Sequence, residues 1–184
     1  HMHSFRSGPP DLPFRLVAVD DRVYVVLDQS KPVHALDAAT GKTLLTYEGT
    51  EFARQIMRTG SQLVILTGTS QVDIQRELKG IASAKRSIMA ANPETGAVLW
   101  RKAVGKDALL PVVASGGSLL YQTKAQLVCL DLATGKEEWQ TAHPLALPKP
   151  KSRDWNWVTP TLTAKNGIVY VSDLNSLSAI SVKD

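Results

Sequence analysis

The stretch Ala-Leu-Asp-Ala-Ala-Thr-Gly-Lys at residues 35–42 decides the fold, because variants of it recur along the chain. Ala-Ala-Asn-Pro-Glu-Thr-Gly-Ala occupies residues 90–97, and Cys-Leu-Asp-Leu-Ala-Thr-Gly-Lys occupies residues 129–136. A shortened copy covers residues 179–184. Recurrence at intervals of about 40 to 55 residues indicates an array of one supersecondary unit.

Each copy of this phrase follows a run of apolar, β-branched or aromatic residues, as at 23–27, 119–121 and 168–171. Such runs favour strands. A tight-turn signal and another short strand precede each run, so each unit consists of four antiparallel strands in sequence order. Four-stranded sheets repeated at this period predict an all-β fold, a β-propeller with about fifteen strands.

The repeated phrase itself is predicted to close a hairpin. Asp37 and Asp131 have carboxylates that accept hydrogen bonds from nearby backbone N–H groups in such turns. Gly41, Gly96 and Gly135 supply the left-handed turn residue that L side chains disfavour. These five residues are therefore interpreted as structural rather than catalytic.

The whole pattern, apolar-Tyr-Val followed by Ala-Leu-Asp-Ala-x-Thr-Gly-Lys-x-x-Trp, resembles the repeat of the quinoprotein-type (PQQ-like) β-propellers over residues 14–184. Trp100 and Trp139 lie four residues after the glycine, whereas the first copy has Leu45 there. The resemblance implies that each tryptophan docks its blade on the next. The residues themselves support this role, because a large aromatic side chain on an otherwise charged outer strand is expected to be buried. The first joint, without a tryptophan, is expected to be less tightly fixed.

The repeat also sets the expected domain organisation. Residues 1–13 are assigned to a tag remnant and N-terminal lead-in, and residues 14–184 to a partial propeller of about four PQQ-like repeats. The blades are expected at about 14–50, 52–105, 108–142 and 158–184. The last blade ends inside its second hairpin, which predicts a fragment of a longer protein.

Composition excludes several classes of protein. The net charge is +4, and most lysines fall in turns, so nucleic-acid binding is not indicated. Cys129 stands alone in an apolar strand and is interpreted as a small buried hydrophobe rather than a reactive thiol. No run approaches the roughly 18 apolar residues of a membrane span. The family resemblance implies the bacterial periplasm or cell envelope.

Two segments do not fit the repeat. In the first, residues 72–86, Ile74, Leu78 and Ile81 would share one helical face. A solvated loop is the favoured interpretation, and a partner-binding excursion is the alternative, with Arg76 and Lys79 as its candidate contacts.

The second segment, residues 143–157, has three prolines and is typical of an extended linker. It holds the aromatic-plus-basic cluster of the chain: Lys149, Lys151, Arg153, Trp155 and Trp157. An anionic-ligand or nucleic-acid site is one interpretation. Packing of the tryptophans over the blade joint is favoured, and the cluster stays a candidate protein-binding surface.

Catalytic chemistry is not indicated by the residues. PQQ-dependent dehydrogenases, as the resemblance implies, need a cofactor clamp, calcium ligands and an acidic base, usually drawn from eight blades and often with a vicinal cysteine pair. This chain has at most four blades and one cysteine, and its histidines lack metal-ligand spacing. We expect no catalytic, cofactor or metal site.

The favoured function is a non-catalytic module that acts as a binding or assembly scaffold. The alternative is a portion of a quinoprotein dehydrogenase, or an accessory propeller of a multidomain enzyme. The expected partners are another protein or the remaining blades of the parent chain. Unpaired sheet edges also favour a homo-oligomer over a closed four-blade ring.

Overall fold

The computed structural model describes residues 15–28, 30–68, 86–105, 108–146 and 160–183. Fifteen strands lie in these ranges and form four antiparallel sheets, three with four strands and one with three. The predicted all-β fold of propeller blades is confirmed as a partial propeller.

The strands follow chain order within each sheet. The first sheet contains β1 (Leu16–Val19), β2 (Arg22–Val25), β3 (Val33–Asp37) and β4 (Thr43–Tyr47). The second contains β5 (Ala53–Thr59), β6 (Gln62–Thr67), β7 (Arg86–Ala91) and β8 (Val98–Val104). The third contains β9 (Ala108–Ser115), β10 (Ser118–Thr123), β11 (Gln126–Asp131) and β12 (Glu137–Ala142). The fourth contains β13 (Thr161–Lys165), β14 (Ile168–Ser172) and β15 (Leu177–Ser181).

Tight turns join the first two strands of each sheet. Asp20 has a φ of 54° between β1 and β2, and Asn166 has a φ of 52° between β13 and β14. Asp and Asn tolerate this left-handed region better than other L residues, which is why they suit two-residue hairpin turns.

A β-bulge recurs at one position in each four-stranded sheet. The register between the third and fourth strands shifts between Ala35 and Leu36, between Ala90 and Ala91, and between Cys129 and Leu130. One residue of the outer strand is left unopposed at each shift. These residues are Leu44, Leu99 and Glu138. Bulges of this kind interrupt an exposed edge and increase its twist.

The hydrophobic core is divided into three clusters, each between consecutive sheets. Tyr24 and Met89 belong to the cluster between the first and second sheets. Trp100 and Leu119 belong to the cluster between the second and third, and Leu120 and Val169 to the one between the third and fourth. The four sheets therefore stack in chain order. Among the described residues, no core cluster joins the first sheet to the fourth.

Two expected features fall partly outside the described residues. The segment at residues 72–86 follows β6 and ends at the first residue of β7, and its residues 72–85 are outside the described ranges. Residues 147–157 of the segment at 143–157 are outside them as well. The described residues contain no helix that is long enough and apolar enough to cross a membrane.

Candidate functional site

The repeated turn holds its polar side chains in local hydrogen bonds. Asp37 Oδ1 accepts from the backbone N–H and the hydroxyl of Thr40, at 2.7 and 2.6 Å. Asp131 accepts equivalent bonds from Thr134. The Thr40 donors hold the pKa of Asp37 below its usual value, the hydroxyl most strongly. The carboxylates therefore serve the turn.

The turn glycine of one sheet lies against the outer strand of the preceding sheet. Gly135 has a φ of +70°, and a Cβ built on it would lie 2.5 Å from Cε3 of Trp100. The equivalent atom on Gly96 would lie 3.2 Å from Cδ2 of Leu45. Gly41, at φ +71°, has nothing within 4 Å. In the second and third sheets, the turn glycine therefore lies directly against a side chain of the preceding sheet, Leu45 for Gly96 and Trp100 for Gly135.

Both candidate docking tryptophans donate to the turn of the next sheet. Trp100 Nε1 donates to the Leu132 carbonyl at 2.9 Å, and Trp139 Nε1 donates to the Val182 carbonyl at 3.0 Å. Trp100 is only 9% exposed, and Trp139 is partly buried against the third core cluster. A buried indole N–H needs such an acceptor, so each tryptophan combines apolar packing with a directed hydrogen bond.

The first joint uses a residue that sequence reasoning missed. Tyr47 is 1% exposed, and its hydroxyl donates to the Pro93 carbonyl at 2.7 Å. Arg22 Nη1 donates to the same carbonyl at 3.0 Å, and its Nη2 lies 2.5 Å from the Glu94 carboxylate. Pro93 holds the position in its turn that Leu132 holds in the next. The signal available in the sequence was a tyrosine two residues beyond Leu45, on the same face of β4.

The first strand of each sheet is called its inner strand. The inner strands of the second and third sheets are joined directly. The Gln55 side-chain amide donates to the Val112 carbonyl at 2.7 Å and accepts from the Val112 N–H at 2.7 Å. These bonds link β5 of the second sheet to β9 of the third, at the bulge in the β9–β10 ladder. Beside them lies an open depression of about 300 Å³, bordered by the inner strands of the second, third and fourth sheets. Its described lining is mostly apolar.

Cys129 is buried, and its Sγ lies 3.4 Å from a carboxylate oxygen of Glu138. Burial raises the pKa of this thiol to about 11, and the Glu138 charge adds to the effect. A thiol with a raised pKa and no exposure is a poor nucleophile.

The remaining candidate contacts lie outside the described residues. They are Arg76, Lys79, Lys149, Lys151, Arg153, Trp155 and Trp157. Within the described part of the chain, no three His, Cys, Asp or Glu side chains lie together as a metal-binding group.

The outer strands of the first two sheets expose apolar side chains. Leu44, Val98 and Leu99 are 49%, 53% and 48% exposed. We call these three residues the outer apolar edge. Leu45 of β4 lies against Gly96, in the turn that precedes β8. The third sheet has Glu137 and Glu138 at the positions of Val98 and Leu99, so its outer strand does not continue the outer apolar edge.

Comparison with solved structures confirms the fold. The computationally designed Ika4 protein is similar over 96% of this chain and 94% of its own, with 14% identity and a TM-score of 0.64. BamB from Moraxella catarrhalis is similar over 94% of this chain and 48% of its own, with 16% identity and a TM-score of 0.60. The quinohemoprotein alcohol dehydrogenase ADHIIG from Pseudomonas putida HK5 is similar over 91% of this chain and 34% of its own, with 14% identity and a TM-score of 0.50.

At these identities the likeness shows the fold alone, and the chain spans about half the length of BamB. A comparison with curated protein sequences gave no match. The model of the PQQ-like repeat family, described as outer membrane protein assembly factor BamB, matches residues 84–184. Because that segment is more than half of the 184 residues, the chain belongs to the BamB-type family of PQQ-like β-propeller repeats.

Proposed function

We propose that this chain is a non-catalytic propeller module that acts as a binding or assembly scaffold in the bacterial periplasm or cell envelope. The observation that carries the proposal is the family match, since the matching family is described as an outer membrane protein assembly factor. The site geometry is compatible with it. Asp37 and Asp131 serve turns, and the tryptophans serve joints between sheets.

The outer apolar edge is the surface we assign to the partner. Leu44 and Leu99 are bulge residues, so neither has a directly opposed residue on the third strand of its sheet, and both are about half exposed. Exposed apolar residues on the outer strands of two consecutive sheets suit another protein that presents apolar side chains. A partner bound here would contact the first and second sheets and avoid the acidic outer strand of the third.

A binding experiment tests the scaffold. The purified chain is immobilised and titrated with the components of a reconstituted outer-membrane protein assembly machinery. We expect saturable binding that Leu44→Glu and Leu99→Glu each weaken at least about tenfold, because a charge would be desolvated in an apolar contact. Thr43→Glu, which adds the same charge at an exposed position of β4, is the matched control. Absence of binding, or equal binding by all four proteins, contradicts the proposal.

A second experiment separates the scaffold from the quinoprotein alternative. The chain is titrated with PQQ and calcium while tryptophan fluorescence is followed, and alcohol oxidation is then assayed with an artificial electron acceptor. We expect neither saturable quenching nor turnover. Micromolar binding or saturable oxidation would replace the scaffold by a portion of a dehydrogenase.

A further inference from the structure

In the second and third sheets, one face lies toward the next sheet along the chain and is called the forward face, and the other lies toward the preceding sheet and is called the back face. The strand register identifies the corresponding faces of the first and fourth sheets. We propose that the forward face of the fourth sheet binds the back face of the first sheet of a second copy, so that two copies close head to tail into a ring of eight sheets. This inference does not depend on the proposed function.

The forward face of the fourth sheet has a row of three side chains in the same register as a row that packs against a neighbouring sheet in the third sheet. In the third sheet that row is Val113, Leu120 and Cys129, paired across β9, β10 and β11. Leu120 and Cys129 belong to the core cluster shared with the fourth sheet, and Val113 packs against that cluster. The fourth sheet has Thr163, Tyr170 and Ala179 in the same register. Among the described residues no core cluster includes this row, and the neighbouring Leu177 is 72% exposed.

The back face of the first sheet has a row in the same register as the back-face row by which the fourth sheet packs on the third. In the fourth sheet the back-face row is Ala164, Val169 and Ile180, and it packs on the third sheet. The first sheet has Ala18, Val23 and Leu36 in that register. This apolar row belongs to no core cluster of the described chain, and the nearby Leu16 is 63% exposed.

Each internal joint sets a forward row against a back row, and among the described residues one row of each kind, on the fourth and first sheets, belongs to no core cluster. The two unmatched faces differ from each other, so a contact between copies is of the forward-to-back type. Such a contact closes into a symmetric dimer when it is made twice. BamB is about twice as long as the region it shares with this chain.

Charge supports the second copy as the occupant. In the joint between the third and fourth sheets, the Gly167 N–H donates to Ser115 Oγ at 3.3 Å, turn against turn. The register makes Lys165 of the fourth sheet the equivalent of Ser115, because each pairs with the first residue of the following strand. Asp20 and Asp21 are likewise the equivalents of Asn166 and Gly167. The proposed joint therefore brings a lysine to an acidic turn.

The mass of the full chain in solution is the first test. Light scattering at low micromolar concentration is expected to give twice the 20.0 kDa of one chain. A mass of 20.0 kDa at that concentration overturns the proposal, whether the single chain is an open arc or a closed ring. A mass above the dimer also overturns it, since two copies are expected to satisfy both faces.

Charge reversal is the second test, at positions that are exposed in the single chain. Lys165→Asp and Asp21→Lys should each raise the dimer dissociation constant at least about tenfold, because like charges then meet at both joints. The double variant should restore dimerisation. Lys136→Glu, at an exposed turn on neither face, is the control. Circular dichroism verifies folding of each variant. A dimer unaffected by both single reversals would contradict this assignment of faces.

Discussion

In the first joint between sheets, the Tyr47 hydroxyl donates to the Pro93 carbonyl at 2.7 Å. Trp100 and Trp139 donate the equivalent hydrogen bonds in the second and third joints. One position, the residue after the Asn, Asp or Ser (Asn92, Asp131 or Ser181) of the repeated turn, thus accepts a hydrogen bond from the preceding sheet in all three joints. The donor changes from indole to phenol, and the acceptor position does not.

Tyr47→Phe should destabilise the chain by about 1 kcal/mol, the usual net contribution of a hydrogen bond. The cost stays moderate because Arg22 still donates to Pro93. Urea unfolding measures it. Tyr24→Phe is the control: Tyr24 is buried beside Tyr47, with ring centroids 6.2 Å apart, and its hydroxyl bonds no described residue. Equal costs for the two variants would mean that the bond contributes nothing to the joint.

Gly135→Ala should be far more destabilising than Gly41→Ala. Both glycines have nearly the same positive φ, which alone costs roughly 1–2 kcal/mol for an alanine. At Gly135 the new methyl would also overlap the Trp100 ring, adding roughly 1–3 kcal/mol. At Gly41 it meets nothing within 4 Å. Chemical denaturation of the two variants gives the difference, and a Gly41→Ala as damaging as Gly135→Ala would show that backbone strain alone decides.

Cys129 should resist thiol reagents while the chain is folded. Burial raises its pKa from 9.0 to about 11, so the thiolate fraction at pH 8 falls about a hundredfold before access is considered. Labelling with a chromogenic disulfide is expected to be slow in buffer and complete in denaturant. Rapid stoichiometric labelling of the folded chain would contradict the buried placement.

Asp173 should make stability depend on pH in strong acid. Backbone N–H groups, that of Ala146 first and that of Asn175 next, lower its pKa from 3.8 to about 2. Because the folded pKa is depressed, this contribution is present above about pH 4 and is lost as the pH falls through about 2. Asp173→Asn should lower Tm at neutral pH, and the Tm gap should narrow over that window. A constant gap would exclude the carboxylate as its cause.

The periodic parts of the fold were predictable because their causes are local. A carboxylate three residues before a threonine, as in Asp37 and Thr40, bonds within its own turn whatever surrounds it. A glycine after that threonine adopts the left-handed conformation for the same reason. Such signals recur with the repeat, so the number and order of the strands followed from them. The bulges at Leu44, Leu99 and Glu138 carry no comparable residue signal.

The sequence by itself determined the all-β repeat, its turns and the two tryptophans four residues after a glycine. Only the tertiary structure decided what those side chains meet. Tyr47 and Pro93 are 46 residues apart, and Gln55 and Val112 are 57 apart. Contacts at such separations depend on how one twisted sheet stacks on another, and periodicity within a strand carries no record of that stacking. Leu45 predicted a joint without a tryptophan, and the stacking placed a tyrosine hydroxyl at the acceptor instead.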